Sequence, residues 1–275
     1  MLNPKLLNVI DCKCNLGEGL YINSRSVCWV DINDQKIFLY ENNKLFEFLI
    51  NLIPSIIYEI TSTEIILGSN LGLISINKKT KEEKFLLDPI DQHDTQYYRS
   101  NDGGVLQNHK YLSFMHIKKP NDFCGYVYRI SNKKYILEES NIFIPNSFIP
   151  LTENEILISD SFCGEIWKYQ LNRYGSLTNK KLWFKFNSNE KIAPDGGCRI
   201  GEYIYICLWD DSSIGVFSID GNLLTKIELP VLRPTNCKFN PNKSELWITS
   251  AREGLDTKSL NNYPESGNTL IYALN

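Results

Sequence analysis

KIAPDGGCRIGEYIYICLWDDS, at residues 191–212, joins a polar turn to a run of aromatic and β-branched residues that is typical of a β-strand. The turn is Pro194-Asp195-Gly196-Gly197. Its two glycines permit positive φ and a close approach of other atoms, which a ligand site often needs and a surface turn does not. We therefore predict that Asp195 lies at the start of a strand and is one of several polar residues directed at a common point.

Short segments of the same strand-like kind recur along the whole chain, separated by turn clusters such as Asp220-Gly221-Asn222. No amphipathic helical pattern interrupts them. The second strand of each putative unit can be aligned at steps of about 37 to 49 residues, which gives WVDI (29–32), ILGS (66–69), SFMH (113–116), LISD (157–160), ICLW (206–209) and WITS (247–250). This is the size of a four-stranded propeller blade, and six blades fill the chain.

The predicted fold is therefore an all-β, six-bladed β-propeller with four-stranded antiparallel blades. An N-terminal strand between Leu6 and Cys12 is predicted to join the last blade, which would close the ring and cover its edge. We expect residues 1–275 to form a single propeller domain. The predicted blades span residues 15–52, 54–90, 101–143, 145–187, 194–230 and 234–275.

Composition narrows the class of partner. A formal net charge of -3, from 29 basic and 32 acidic residues, gives no reason to expect nucleic acid or an anionic membrane as a partner. The apolar run from Leu6 to Ile10 is too short for a signal-peptide core, and no stretch is apolar enough for a membrane helix. The eight cysteines lack metal-ligand spacing, as expected for reduced thiols. We expect a cytoplasmic protein that acts on a small molecule.

A polar residue precedes the predicted innermost strand of every unit. Because innermost strands line the central channel of a propeller, these side chains should converge at one end of it. Carboxylate and amide oxygens in such a ring suit a hard divalent cation, although each residue alone is equally compatible with a plain turn. The six positions are Glu18, Ser55, Asn101, Asn146, Asp195 and Asn236.

The chain resembles the regucalcin and gluconolactonase family of six-bladed propellers over nearly its whole length. Five short motifs carry the resemblance, and they occur in the family's order and at its spacing. They are LGEGL (16–20) with CWVDI (28–32), RSNDG (99–103), PNS (145–147) with ILISDS (156–161), PDG (194–196), and PTNC (234–237) with TSAR (249–252).

The resemblance implies a metal-dependent hydrolase that opens a sugar lactone by attack of a water molecule. It implies one divalent cation held by Glu18, Asn146 and Asp195, with Ca²⁺ expected and Zn²⁺, Mn²⁺ or Mg²⁺ tolerated. Asp195 would also serve as the general base. Arg99 would bind the substrate, and Asn101 would be either a substrate contact or a fourth metal ligand.

Lys118 departs from the family pattern, since some relatives place a substrate-contacting acid at about this position. We hypothesise that Lys118 and Arg99 together favour a lactone that carries a carboxylate. Equal rates on neutral and acidic sugar lactones, unchanged in Lys118→Ala, would contradict this.

A water nucleophile is expected because the chain has no G-x-S-x-G motif, and no triad setting is recognisable around His93, His109 or His116. Two other functions stay open on the sequence. One is a related metal-dependent esterase or phosphotriesterase. The other is a non-enzymatic propeller that binds calcium or another ligand.

Overall fold

Twenty-four β-strands and one short α-helix form the regular secondary structure of residues 4–91, 93–187, 189–190 and 192–274, the part of the chain that the computed structural model describes. In chain order the strands are β1 (Lys5–Ile10), β2 (Gly17–Ile22), β3 (Ser26–Asp31), β4 (Lys36–Glu41), β5 (Lys44–Leu49), β6 (Pro54–Ile60), β7 (Glu64–Ser69), β8 (Gly72–Asn77), β9 (Glu83–Phe85), β10 (Tyr98–Leu106), β11 (His109–His116), β12 (Tyr126–Ser131), β13 (Lys134–Glu139), β14 (Pro145–Thr152), β15 (Glu155–Asp160), β16 (Glu165–Leu171), β17 (Leu177–Lys185), β18 (Ala193–Ile200), β19 (Tyr203–Trp209), β20 (Ser213–Ser218), β21 (Leu223–Glu228), β22 (Arg233–Asn240), β23 (Glu245–Ala251) and β24 (Thr269–Ala273).

The strands form six four-stranded antiparallel sheets, and these are the blades of a six-bladed β-propeller. Five blades follow chain order, as β2-β3-β4-β5, β6-β7-β8-β9, β10-β11-β12-β13, β14-β15-β16-β17 and β18-β19-β20-β21. Each innermost strand contacts the innermost strands of both neighbouring blades, including β22 against β2, so the ring is closed. The predicted fold class is confirmed.

The sixth blade has the order β22-β23-β24-β1, so its outermost strand comes from the N-terminal segment. In this pairing Lys5 lies opposite Ala273 and Ile10 lies opposite Thr269. β1 thereby covers the edge of β24, which would otherwise present unpaired backbone groups. The predicted closure by an N-terminal strand is confirmed.

The hydrophobic core is divided among the interfaces between adjacent blades. Each of the six interfaces holds one cluster of buried side chains contributed by both blades. Central strands therefore bury both of their faces. In β19, for example, the residues from Ile204 to Leu208 are all buried. This explains why the strands appear in the sequence as continuous apolar runs and not as alternating patterns.

A β-bulge interrupts every innermost strand near its start, where the register against the second strand shifts. A bulge adds an unpaired residue and redirects the side chains beside it. The six predicted ring residues lie at these bulges, so the prediction that they precede the strands is wrong. The shifts lie between Glu18/Tyr21, Pro54/Ile56, Ser100/Gly103, Asn146/Ile149, Pro194/Gly197 and Pro234/Cys237.

The expectation that no helix interrupts the strands is wrong at one place. The helix α1 (Thr257–Asn262) lies in the connection between β23 and β24, and the side chain of Asp256 caps it by accepting a hydrogen bond from the Ser259 amide. Six residues are too few to show an amphipathic period. In the described ranges, no helix has the length and apolar character needed to cross a membrane.

Candidate metal centre and substrate cavity

A cavity of about 990 Å³ lies where the innermost strands begin. Four of the six predicted ring residues line it, namely Glu18, Asn101, Asn146 and Asp195, and Arg99 lines it with them. The other two ring residues are buried but do not belong to its lining; they are Ser55 and Asn236. The fold thus brings residues from separate blades to one site.

The carboxyl groups of Glu18 and Asp195 form the acidic part of the site, and the two residues are only 4% and 5% exposed. The amide of Gly19 donates to Glu18 Oε2 at 3.0 Å, and the amide of Gly196 donates to Asp195 Oδ1 at 3.0 Å. Each acid is therefore oriented by the backbone amide of the residue that follows it. Glycine is needed at these two positions because an added Cβ atom would clash with the Ser55 carbonyl oxygen at Gly19 and with the Asn236 side chain at Gly196.

Both carboxyl groups hold protons more tightly than usual. Burial raises the pKa of Glu18 to about 8, and the negative charge of Asp102 adds to the effect. Burial also raises the pKa of Asp195 well above its ordinary value, followed by the charges of Glu18 and Asp102. A hydrogen bond between the Glu18 and Asp195 carboxyl groups raises the pKa of Asp195 further. Without a cation the pair therefore shares a proton, which a divalent ion would displace.

Asn146 directs a free oxygen into this region. Its Oδ1 atom is buried without a hydrogen-bond partner, while its Nδ2 atom donates to Ser161 Oγ at 3.1 Å. Ser161 Oγ in turn donates to the carbonyl oxygen of Pro194 at 2.7 Å. An unpaired buried carbonyl oxygen is unfavourable unless something binds it. The amide is thus oriented with its oxygen available as a ligand.

The residues present fit a hard divalent cation. Two carboxylates and one amide oxygen belong to the ligand types of Ca²⁺. In the part of the chain that the structure describes, no group of three or more His, Cys, Asp or Glu side chains is placed to hold a metal.

Arg99 and Asn101 form a pair beside the acids. Arg99 Nη1 donates to Asn101 Oδ1 at 2.8 Å and to the Ser100 carbonyl oxygen at 2.9 Å. Asn101 Nδ2 donates to the Pro145 carbonyl oxygen at 3.2 Å. The Asn101 oxygen thus already accepts a hydrogen bond from a guanidinium, and the choice between a substrate contact and a fourth metal ligand stays a prediction.

Lys118 lies apart from these residues. It is exposed, it does not line the cavity, and its Nζ atom is 5.9 Å from the ring centroid of Tyr97. The nearby His116 is buried in an aromatic group, and its Nδ1 atom accepts from the Lys119 amide at 2.9 Å. The substrate contact assigned to Lys118 stays a prediction.

Sequence reasoning missed the serines that support the site. Ser147 donates to the Asp195 carbonyl oxygen, and its Oγ lies 2.6 Å from Ser159 Oγ. Ser147 has a left-handed φ of 78°, which is unfavourable for a residue other than glycine. The sequence signal was present, because Ser147 ends the motif PNS and Ser161 ends the strand motif ILISDS.

Residues 16–252 match the family described as SMP-30/Gluconolactonase/LRE-like region. The chain belongs to this family. The resemblance predicted from the sequence motifs is confirmed.

Curated relatives in the family include regucalcins. The chain is 32% identical to human regucalcin over 110 residues, which is 39% of this chain and 36% of that protein, and 32% identical to zebrafish (Danio rerio) regucalcin over 112 residues, which is 40% and 37%. The chain thus matches little more than a third of the length of these relatives.

Solved structures similar to this chain have the same fold at low identity. A calcium-binding regucalcin from Agrobacterium tumefaciens has a TM-score of 0.90 at 21% identity, and covers 98% of this chain and 94% of its own. A luciferin-regenerating enzyme gives 0.88 at 20% identity, with 99% and 95% covered. A gluconolactonase from Xanthomonas campestris gives 0.73 at 15% identity, with 99% and 95% covered.

Proposed function

We propose that this member of the family is a metal-dependent hydrolase that opens a lactone. The observation that carries the proposal is the buried, unpartnered Oδ1 atom of Asn146, placed in one cavity with the buried carboxyl groups of Glu18 and Asp195. The names of the relatives, regucalcin and gluconolactonase, support the choice of a lactone as substrate.

Glu18, Asn146 and Asp195 would hold one divalent cation, with Ca²⁺ as the ion that best suits an all-oxygen set. When bound, such a cation polarises an ester carbonyl and acidifies a neighbouring water molecule. The chain supplies the remaining functions through Asp195, Arg99 and Asn101.

Asp195 accepts the proton of the attacking water as the general base. A carboxylate beside a cation is a weak base, so the step depends on acidification of the water as well. The guanidinium of Arg99, held by Asn101, donates hydrogen bonds to the oxygen atoms of the substrate. We expect Arg99→Ala mainly to raise KM.

The test is a lactone hydrolysis assay on metal-stripped protein with Ca²⁺, Mg²⁺, Mn²⁺ or Zn²⁺ added back one at a time. We expect activity to return with one cation, and Glu18→Gln or Asp195→Asn to lower kcat by roughly a thousandfold or more. Ser55→Ala is the matched control, since Ser55 occupies the same ring position in another blade but does not line the cavity.

Two outcomes would overturn the proposal. Cation binding without turnover on any lactone would favour a calcium-binding propeller without enzymatic activity. Phosphotriesters turned over faster than every lactone would favour the esterase alternative.

A further inference from the structure

Apolar side chains surround the polar end of the cavity. One series comes from the residue directly before an innermost strand, where Leu16, Ile53, Ile144 and Ile192 precede β2, β6, β14 and β18. All four line the cavity. The repeat therefore places an aliphatic residue beside the polar ring residue in four of the blades.

A second apolar series comes from the end of the second strand in each of four blades. Ile32, Ile117 and Phe162 follow β3, β11 and β15, and Trp209 is the last residue of β19. Phe162 and Ile117 are 50% and 43% exposed, so these two lie where the lining meets solvent. Together the two series supply eight of the 24 described lining residues, and a polyhydroxylated substrate would leave these apolar side chains in contact with water.

The charge of the lining does not favour an anionic substrate. Arg99 is the one lysine or arginine among the described lining residues, and three carboxylates line the same space, those of Glu18, Asp195 and Glu253. Arg99 is already attracted by all three of these acids. One divalent cation together with Arg99 would balance the three carboxylates, so no free positive charge is left to bind a carboxylate.

The size of the cavity also favours a substrate larger than a sugar lactone. Its volume of about 990 Å³ lies at the upper end of the range of about 300–1,000 Å³ for sites that take drug-sized ligands. A sugar lactone would occupy only the polar end, next to Asn146 and Asp195. The remaining space, bounded by the two apolar series, has room for a substituent.

We propose that the substrate is a neutral lactone that carries a hydrocarbon substituent, with the lactone ring at the polar end and the substituent against the two apolar series. This inference rests on the proposed hydrolase function and specifies its substrate class. We no longer expect an acidic sugar lactone as the substrate. That class was favoured by Lys118, and Lys118 lies outside the lining.

The first experiment compares kcat/KM for δ-lactones with alkyl chains of increasing length, for gluconolactone and for an acidic sugar lactone, using the metal-loaded protein. We expect kcat/KM to rise about three- to fourfold for each methylene that becomes buried. Both sugar lactones should lie below the long-chain lactones. Rates that are flat or falling with chain length, or fastest on either sugar lactone, would overturn the inference and leave the hydrolase proposal intact.

The second experiment uses Phe162→Ser and Ile117→Ser. Each variant should lose at least about fivefold in kcat/KM on the long-chain lactone and less than about twofold on the unsubstituted lactone. Phe46→Ser is the matched control, because Phe46 is also 50% exposed but lies on β5, an outermost strand. Equal losses on both substrates, or the same loss in Phe46→Ser, would overturn the inference.

A measurement without turnover separates the two proposals. Binding of an alkyl-substituted δ-lactam, followed by calorimetry at several temperatures, should show a negative heat-capacity change that Phe162→Ser reduces. If the lactam binds in this way while no lactone is hydrolysed, the hydrocarbon site is upheld and the hydrolase proposal is overturned. If the lactam does not bind, the inference itself is overturned.

Discussion

At the scale of single residues, the site depends on buried oxygen atoms whose charge or hydrogen-bonding capacity is not satisfied in the metal-free protein. Glu18 and Asp195 retain a proton between them, and Asn146 has a carbonyl oxygen without a partner. Both features are unfavourable in the metal-free protein and would be relieved by one cation. The stability of this protein should therefore be linked closely to metal binding.

The first prediction concerns pH in the absence of metal. The folded-state pKa of Glu18, about 8, lies above its ordinary value of 4.5. Between these values the unfolded chain is ionised and the folded chain must keep a proton, so stability falls as pH rises through this window. In EDTA, we expect the melting temperature to drop by roughly 5 °C between pH 5 and pH 8.

Two additions make this test decisive. Glu18→Gln should flatten the pH dependence, and saturating Ca²⁺ should do the same in the unsubstituted protein. A melting temperature of the metal-free protein that rises with pH over this range would contradict the assignment.

The second prediction concerns Ser161, which orients the amide of Asn146 through its Oγ atom. Ser161→Ala should lower Ca²⁺ affinity by about 10- to 100-fold, because the metal ligand loses the contact that fixes its rotation. Calorimetric titration with Ca²⁺ gives the affinity, and Ser55→Ala provides the control. Equal affinities in the two variants would show that Ser161 has no positioning role.

At the scale of elements, an aspartate at the end of the second strand accepts hydrogen bonds from backbone amides in two of the blades. Asp31 at the end of β3 accepts hydrogen bonds from the amides of Asn15 and Leu16. Asp160 at the end of β15 accepts from the amides of Phe143 and Ile144. In both of these blades the aspartate holds the segment that leads into the innermost strand. Asp31 thereby helps to position Glu18, and Asp160 helps to position Asn146.

The third prediction concerns these hydrogen bonds from backbone amides to the strand-end aspartate. Asp160→Ala removes an acceptor shared by several backbone amides, and we expect a loss of about 1.5–3 kcal/mol in the free energy of unfolding. Urea denaturation measures the loss. Asp220→Ala, in an exposed turn, should change the free energy by less than about 0.5 kcal/mol. A similar small change in Asp160→Ala would contradict the role given to Asp160.

Much of this element structure can be predicted from the sequence. The apolar runs of the second strands, such as ICLW (206–209), are local signals, and their spacing indicates the blades. The bulges are different, because a bulge is defined by two strands together. Asn146 and Asp195 could therefore be selected by position, whereas the hydrogen bonds from Ser147 and Ser161 to Asp195 and Pro194 could not.

At the scale of the whole molecule, the ring joins the N-terminal segment to the C-terminal one. Closure by β1 was predictable because the strand-like segment from Leu6 to Cys12 precedes the first predicted blade, which begins at residue 15. The apolar lining of the cavity was not, since its two series come from strand starts and strand ends that lie far apart along the chain. Only the closed ring brings Leu16 and Trp209 to the same space.

The fourth prediction tests the closure. A chain that begins at Asp11 lacks β1 and exposes the edge of β24, so we expect a lower melting temperature and concentration-dependent association. Thermal unfolding and light scattering at several concentrations provide the measurements. Leu7→Ala in the full chain is the control, since Leu7 is exposed. Unchanged stability of the shortened chain would show that β1 is dispensable.

The pairing of Lys5 with Ala273 also has a consequence for biosynthesis. Among the described strands β1 is translated first, whereas its partner β24 is translated last. Until then the nascent chain carries an unpaired leading strand and an incomplete set of blades. The residues that line the cavity, from Leu16 to Glu253, are translated before β24, so the ring is completed only after they are present. A ribosome that stalls between Glu253 and β24 would therefore leave a chain that has the described lining residues but lacks the strand that pairs with β1 in the sixth blade.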